Sequence, residues 1–453
     1  MSLLIRNAAF IATMDAKNRE LRGEDILTKG PKIVEIGPSL TAPPGTEVVD
    51  ASNHWVFPGL INTHHHLCHT LTRCLNQTQP LELLPWLKFN YHIWSGLTPD
   101  SVYAGALVGL GELLKSGCTT VCDHHYVFPR GQSLGLIDRE IQAAAELGIR
   151  FHPCRGSISL GVRRGGLSPD ILVQSEEEIL VDSLRLLSKY HDRREYSMCR
   201  IVLAPCSPYF ATRSLLEQTL QLARRHEVHC HTHLAESKDG EELCLKKTGM
   251  RPLEYMGKMG WLGKDIWFAQ GIYLNDEDLA LLAATGTGIS HCPASNQWLS
   301  LGTAKVPQML TLRVPVGLGA GASNGNANML AEMKEALRQA QLTWGVNSLT
   351  PRDVLTLATR GGARLLGRED IGSLAPGKAA DFFLVNAESL GEMSCSDPVT
   401  ALVTYGPKAT VDTTVVNGKI LVRGGHLLTL DEGEIARRGN EVARELLAKA
   451  GIG

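Results

Sequence analysis

Eight apolar, β-rich runs alternate with amphipathic stretches between residue 56 and about residue 325, and no other feature of the chain limits its fold as tightly. The runs cover residues 56–67, 119–126, 149–155, 200–207, 228–236, 266–274, 288–296 and 314–324. Helical patterns with one apolar side lie between them, at 101–115, 138–147, 176–190, 212–225 and 276–284. Strands separated by helices pair in parallel and are covered on both faces, which accounts for runs that are almost continuously apolar. Eight such units predict an α/β fold, a parallel (β/α)8 barrel of the TIM type.

The flanks read differently. Residues 1–55 are short β-rich pieces punctuated by Gly and Pro. Helical patterns follow the barrel at 328–342 and 351–366, a Pro-Gly turn feeds a strand at 381–385, and Asn417-Gly418 sits between two β-rich runs as a hairpin turn. This predicts a small, sandwich-like β-domain from both chain ends (1–55 plus 371–430), a barrel over 56–370, and a charged C-terminal helix over 431–453.

A formal charge of −2 gives no electrostatic case for nucleic acid or an anionic membrane. No window is long and apolar enough for a membrane span, and the first residues alternate like a strand and lack a signal-peptide core. Eleven cysteines are scattered without any C-x-x-C, as reduced, buried residues of a cytoplasmic protein would be.

Polar residues gather where the runs end, and the carboxyl ends of barrel strands carry chemistry. On an extended chain His64 and His66 point one way and His65 the other. Paired imidazoles there are either half of a metal site or a buried pair with other partners. A histidine of the run His229-Cys-His231-Thr-His233 closes a three-histidine site on the barrel axis, and Glu236 then stands beside a reactive water or caps the next helix. His124 belongs to the pocket or to the scaffold. Arg155 must pair, with a substrate carbonyl or with an internal carboxylate. Trp86 stacks on a flat ring or packs in the core, and His291 faces the same mouth.

Four motifs carry a resemblance: P-G-L-I-N-T-H-H-H at 58–66, H-T-H-L-A-E at 231–236, H-C-P-A-S-N at 291–296 and G-S-L-A-P-G-K-A-A-D at 372–381. Together they span nearly the whole chain, which resembles the amidohydrolase superfamily. Stretches 63–73, 82–87, 116–126, 155–159, 204–208 and 249–255 narrow the likeness to its cytosine-deaminase-like branch and the 8-oxoguanine and isoxanthopterin deaminases. The resemblance implies a divalent metal, Zn2+ or Fe2+, held by His64, His66 and His233, with Glu236 protonating the attacked ring. It also implies a pocket that includes Gln79, Trp86, Arg155 and His291 and takes a small oxo-substituted purine or pterin, in a protein that forms a homodimer.

Two positions depart from that pattern. Gln270 stands where the family has a strand-six histidine, and joins the pocket residues; 319–324 is shorter than the family's strand-eight motif and has no Asp. An amide cannot take a proton at neutral pH, and general acid–base help is worth about 10²–10⁴-fold. Three functions fit these residues: a metal-dependent deaminase, a binding protein that keeps the heterocycle pocket without turnover, and a triazine-chlorohydrolase-like enzyme whose substrate carries a better leaving group.

Overall fold

The computed structural model describes residues 2–132, 135–321, 327–389, 395–406 and 410–452. Eight parallel strands form the barrel: β1 (Leu60–Asn62), β2 (Cys118–His125), β3 (Arg150–Ser157), β4 (Val202–Pro205), β5 (Cys230–Leu234), β6 (Ile266–Gln270), β7 (Gly288–His291) and β8 (Val316–Leu318). Neighbours in sequence are neighbours in the sheet. Thr63 N–H donates to the Leu318 carbonyl (3.0 Å), and Ala320 and Gly321 N–H both donate to the His64 carbonyl (3.0 Å each), which joins the last strand to the first. The barrel is the one the eightfold alternation predicts. Ser323 and Asn324, at the end of the last apolar run, lie outside the described residues.

The outer helices begin where side chains satisfy their first N–H groups. Thr98 and Ser101 form a capping box ahead of Pro99–Lys115, Ser175 and Glu178 do so for Glu176–Tyr190, and Asn275 and Asp278 for Asp276–Thr285. The barrel interior is filled by Ile61, Cys122, Cys154, Val202, Ala204 and Trp267. Trp267 is fully buried and its indole N–H donates to the Thr63 carbonyl (3.2 Å).

The apolar run 56–67 is two strands in two sheets. His54–Pro58 pairs with Phe382–Asn386 outside the barrel, and only Leu60–Asn62 enters it. Gly59 makes the step: a Cβ there would lie 2.1 Å from the Thr119 hydroxyl. Outside the barrel, a seven-stranded sheet combines segments from both chain ends, and a four-stranded sheet holds Ser2–Ala8, Glu24–Lys29, Lys32–Gly37 and Glu47–Asp50.

Arg150 at the start of β3 ties barrel to sheet. Its guanidinium is fully buried and pairs with Asp381, which also accepts the Asn417 N–H (2.7 Å) at the hairpin turn. The C-terminal helix Glu432–Lys449 packs on Pro99–Lys115, where Gly439 leaves no space for a side chain beside Val108. No helix among the described residues is long and apolar enough to cross a membrane.

Candidate metal centre and active-site cavity

Beyond β1 the rings of His64 and His66 lie together, centroids 4.7 Å apart, while His65 turns away and donates through Nδ1 to the Gly321 carbonyl (3.0 Å). Strand β2 holds this segment. Asp123 accepts the Leu67 N–H (2.6 Å), and the His124 N–H donates to the His65 carbonyl (2.7 Å). His124 on β2 and His233 on β5 bring two more rings to the same point.

The outer hydrogen bond of each ring fixes which nitrogen carries its proton. His66 Nδ1 donates to the His124 carbonyl (2.8 Å), His233 Nδ1 to the Cys206 carbonyl (2.7 Å) and His124 Nε2 to the Ala204 carbonyl (2.8 Å). His231 Nδ1 donates to the Trp267 carbonyl (3.0 Å), so its Nε2 is bare and accepts from His64 Nδ1 (2.8 Å). Four nitrogens are then left with a lone pair and no hydrogen: Nε2 of His64, His66 and His233, and Nδ1 of His124. The four residues each offer a nitrogen within 4.8 Å of the others.

Such a group is unfavourable by itself. His64 Nε2 and His124 Nδ1 have no hydrogen-bond partner among the described residues, and the Nε2 atoms of His66 and His233 face each other at 3.2 Å. Two lone pairs at that distance repel, and buried acceptors without donors cost free energy. Burial, reinforced by the neighbouring rings, holds His64, His66 and His124 well below the usual imidazole range, so protonation is no remedy. A divalent cation is: neutral imidazoles whose far N–H is anchored on a carbonyl or another ring are suited to ligation.

Glu236 comes to the cavity beside these rings through a strained turn. After β5, Ala235 takes a left-handed backbone (φ 51°), and its carbonyl accepts the N–H groups of Ile272 and Tyr273 (2.9 Å each). The Ser237 hydroxyl, not Glu236, caps the helix Lys238–Thr248. The carboxyl of Glu236 is thus free to line the cavity with His66, His233, Trp86, Tyr91 and Gln270. Burial raises its pKa above the usual carboxylate range, with His233 opposing. Gln270, at the end of β6, is also left-handed (φ 77°), and its Oε1 is buried without a partner among the described residues.

Among the described residues after β8, neither Gly319 nor Gly321 has room for the missing acid. A Cβ at Gly319 would lie 2.6 Å from the Ser290 hydroxyl and 3.0 Å from His64 Cβ. At Gly321, with φ 63°, it would lie 2.9 Å from Ser295 Cβ.

The other expected residues divide. Trp86 lines the cavity and its indole N–H has no partner among the described residues. His124 belongs to the nitrogen cluster and not to the cavity lining. Arg155 is not a pocket residue: fully buried, it donates to Asp182 (2.7 Å) and Gln174 (3.0 Å) and lies 4.1 Å from the Phe128 ring centre. Gln79 is exposed and outside the lining, because the turn Asn76–Thr78 carries it to the surface. His291 is buried with an unpartnered Nδ1, but its ring does not line the cavity. Sequence reasoning saw His231 only as one of a histidine run and gave it no role of its own, and it assigned none to His69, Tyr91 and Ser295 in the lining. His69 is stacked on Trp94, ring centres 4.0 Å apart. The H-x-H-x-H spacing puts His231 and His233 on one face of β5, which was the available signal.

The profile of the amidohydrolase family matches residues 55–421. The chain belongs to the amidohydrolase family. This amidohydrolase is 42% identical over 448 residues to the 8-oxoguanine deaminase of Pseudomonas aeruginosa, covering 98% of this chain and 99% of that protein. It is 37% identical over 457 residues to the hydroxydechloroatrazine ethylaminohydrolase of a Pseudomonas species, covering 96% and 94%. Among solved structures, the atrazine chlorohydrolase of Arthrobacter aurescens in complex with zinc matches with a TM-score of 0.94 at 31% identity, over 97% of this chain and 100% of that one. Family membership together with the deaminases among its relatives makes the protein a hydrolase of C–N bonds other than peptide bonds, and its converging imidazoles provide a site for a divalent metal ion.

Proposed function

We propose that this amidohydrolase removes an exocyclic amine from an oxo-substituted purine or pterin, with 8-oxoguanine and isoxanthopterin as representative substrates. The observation that carries the reading is the set of bare ring nitrogens beside a protonatable Glu236 in one buried cavity. His64, His66 and His233 are the proposed ligands, with His124 Nδ1 a fourth nitrogen in reach. Zinc is the proposed ion, on the chemistry of nitrogen donors and the zinc of the atrazine chlorohydrolase. When bound, the ion supplies Lewis acidity toward a water.

The side chains do the rest. Glu236 moves two protons in turn: it takes one from the attacking water and gives it to the ring nitrogen next to the attacked carbon, then carries the adduct's hydroxyl proton to the amine, which leaves as ammonia when the C–N bond breaks and the carbonyl forms, a role that suits a carboxyl with a raised pKa. Trp86 offers its indole N–H to an exocyclic oxygen of the heterocycle. Gln270 orients a donor on substrate or water through Oε1 and takes no proton.

The cavity encloses only about 30 Å3, roughly the volume share of one water, whereas small-molecule sites span about 300–1,000 Å3. Substrate entry therefore requires the lining to make room; the helix Leu83–Trp94 contributes Leu83, Trp86, Leu87 and Tyr91 to it.

A second reading has support of its own. Neither Gly319 nor Gly321 admits an acid, and Gln270 offers no base. A ring substrate with a better leaving group, as in a triazine, asks less of the missing groups. Ammonia release from 8-oxoguanine and isoxanthopterin by the zinc-loaded protein supports deamination. Background ammonia with turnover of a chloro- or alkylamino-triazine selects the second reading, and turnover of neither leaves a heterocycle-binding protein. In the first case Glu236→Gln lowers kcat at least about 100-fold with metal retained.

A further inference from the structure

A cavity far larger than the one at the histidines lies elsewhere among the described residues. It lies at the barrel's opposite end, where Ile266 and Gly288 begin β6 and β7, and encloses about 1,010 Å3. Its floor is apolar, with Ile266, Pro315, Leu365 and Ile371, and residues 15–19 and 360–378 form the rim. Seven lysines and arginines line it against two carboxylates, Asp15 and Glu369, in a chain whose formal charge is −2.

Part of this excess is committed. Arg19 pairs with Asp15 (2.6 Å), Arg368 with Asp370 (2.8 Å), Arg360 donates to the Asp15 carbonyl (2.9 Å) and Lys378 to the Glu369 carbonyl. Lys17, Lys264 and Arg364 have no side-chain partner among the described residues. Unneutralised cations around an apolar recess repel one another and favour an anion there. A guanidinium matches phosphate or carboxylate with two parallel hydrogen bonds. The recess is partly open, with Lys17, Lys264 and Arg364 exposed along it, and its volume is that of a small-molecule site.

We propose that this cavity binds a small organic oxyanion, an apolar ring bearing a phosphate, with the ring on the Ile266–Leu365 floor and the phosphate held by Lys17, Lys264 and Arg364. The test is calorimetry on the full-length, metal-loaded protein with four probes: phenyl phosphate, benzoate, inorganic phosphate and benzyl alcohol. Phenyl phosphate is expected to bind saturably, at least tenfold tighter than inorganic phosphate or benzyl alcohol. The double variant Lys264→Gln/Arg364→Gln is expected to weaken it at least tenfold. Benzoate binding as tightly as phenyl phosphate overturns the assignment to phosphate. No saturable binding, or binding unchanged in the double variant, overturns the site. Amide hydrogen exchange on the unsubstituted protein gives a check free of variants: phenyl phosphate should slow exchange in 14–19 and 360–378, and protection confined to the histidine cavity counts against the proposal.

Discussion

Replacing His231 with Phe separates the ring's bulk from its hydrogen bonds. The flat stack on Trp267 (ring centres 4.6 Å, 20°) survives, while the acceptor for His64 Nδ1–H and the donor to the Trp267 carbonyl are lost. A buried N–H left without its acceptor costs ~1–3 kcal/mol. His64 escapes that cost by moving its proton to Nε2, the nitrogen that faces the cluster. It then offers a hydrogen where the ion needs a lone pair. Loss of such a supporting contact lowers metal affinity about 10–100-fold, roughly 1.4–2.8 kcal/mol. The assay is competition for zinc against a calibrated chelator, with thermal unfolding of the metal-free protein beside it. Metal affinity within twofold of the parent, with normal folding, refutes the tautomer chain from Trp267 through His231 to His64.

Three further outcomes follow from the same geometry. Asp381→Ala strands the buried Arg150 guanidinium and is expected to cost ~3–5 kcal/mol in denaturant unfolding; a loss below 1 kcal/mol contradicts the pairing. Gly319→Asp is expected to lower stability by ~1–3 kcal/mol without raising activity, since its Cβ collides with Ser290 and His64; a more active variant shows that the strand end can accept the acid. Burial pushes the pKa of Asp138 up, but hydrogen bonds from Arg185, Tyr190 and Lys189 outweigh it and hold the carboxyl well below its usual range. That contribution is present above the unfolded pKa, about 4, and is lost as pH falls toward the folded value. Unfolding free energy measured from pH 6 to pH 2 should fall less steeply in Asp138→Asn than in the parent, and parallel curves contradict this.

The barrel was legible because the alternation of buried strand and amphipathic helix is a local property, repeated eight times. Its first strand was drawn too long, since an apolar run does not reveal that Gly59 hands the chain from one sheet to another. The first-strand histidines were legible from their alternation on an extended chain. Arg155 was not, because Asp182, its partner, comes from a helix 27 residues away, and only packing decides whether a buried guanidinium meets a ligand or a carboxylate. Gln79 failed for the opposite reason: nothing local distinguishes a surface turn from a pocket rim. His231 was given no role of its own because the sequence shows two equivalent histidines on one face of β5; depth in the barrel separates them, one reaching the cavity and the other supporting His64.

Metal content tests the central claim most directly. Elemental analysis of protein incubated with zinc and desalted should give one ion per chain, and the double variant His66→Ala/His233→Ala should give none while keeping its far-ultraviolet circular dichroism. No bound metal in the parent protein, or an undiminished content in that variant, would contradict the account of the four converging imidazoles.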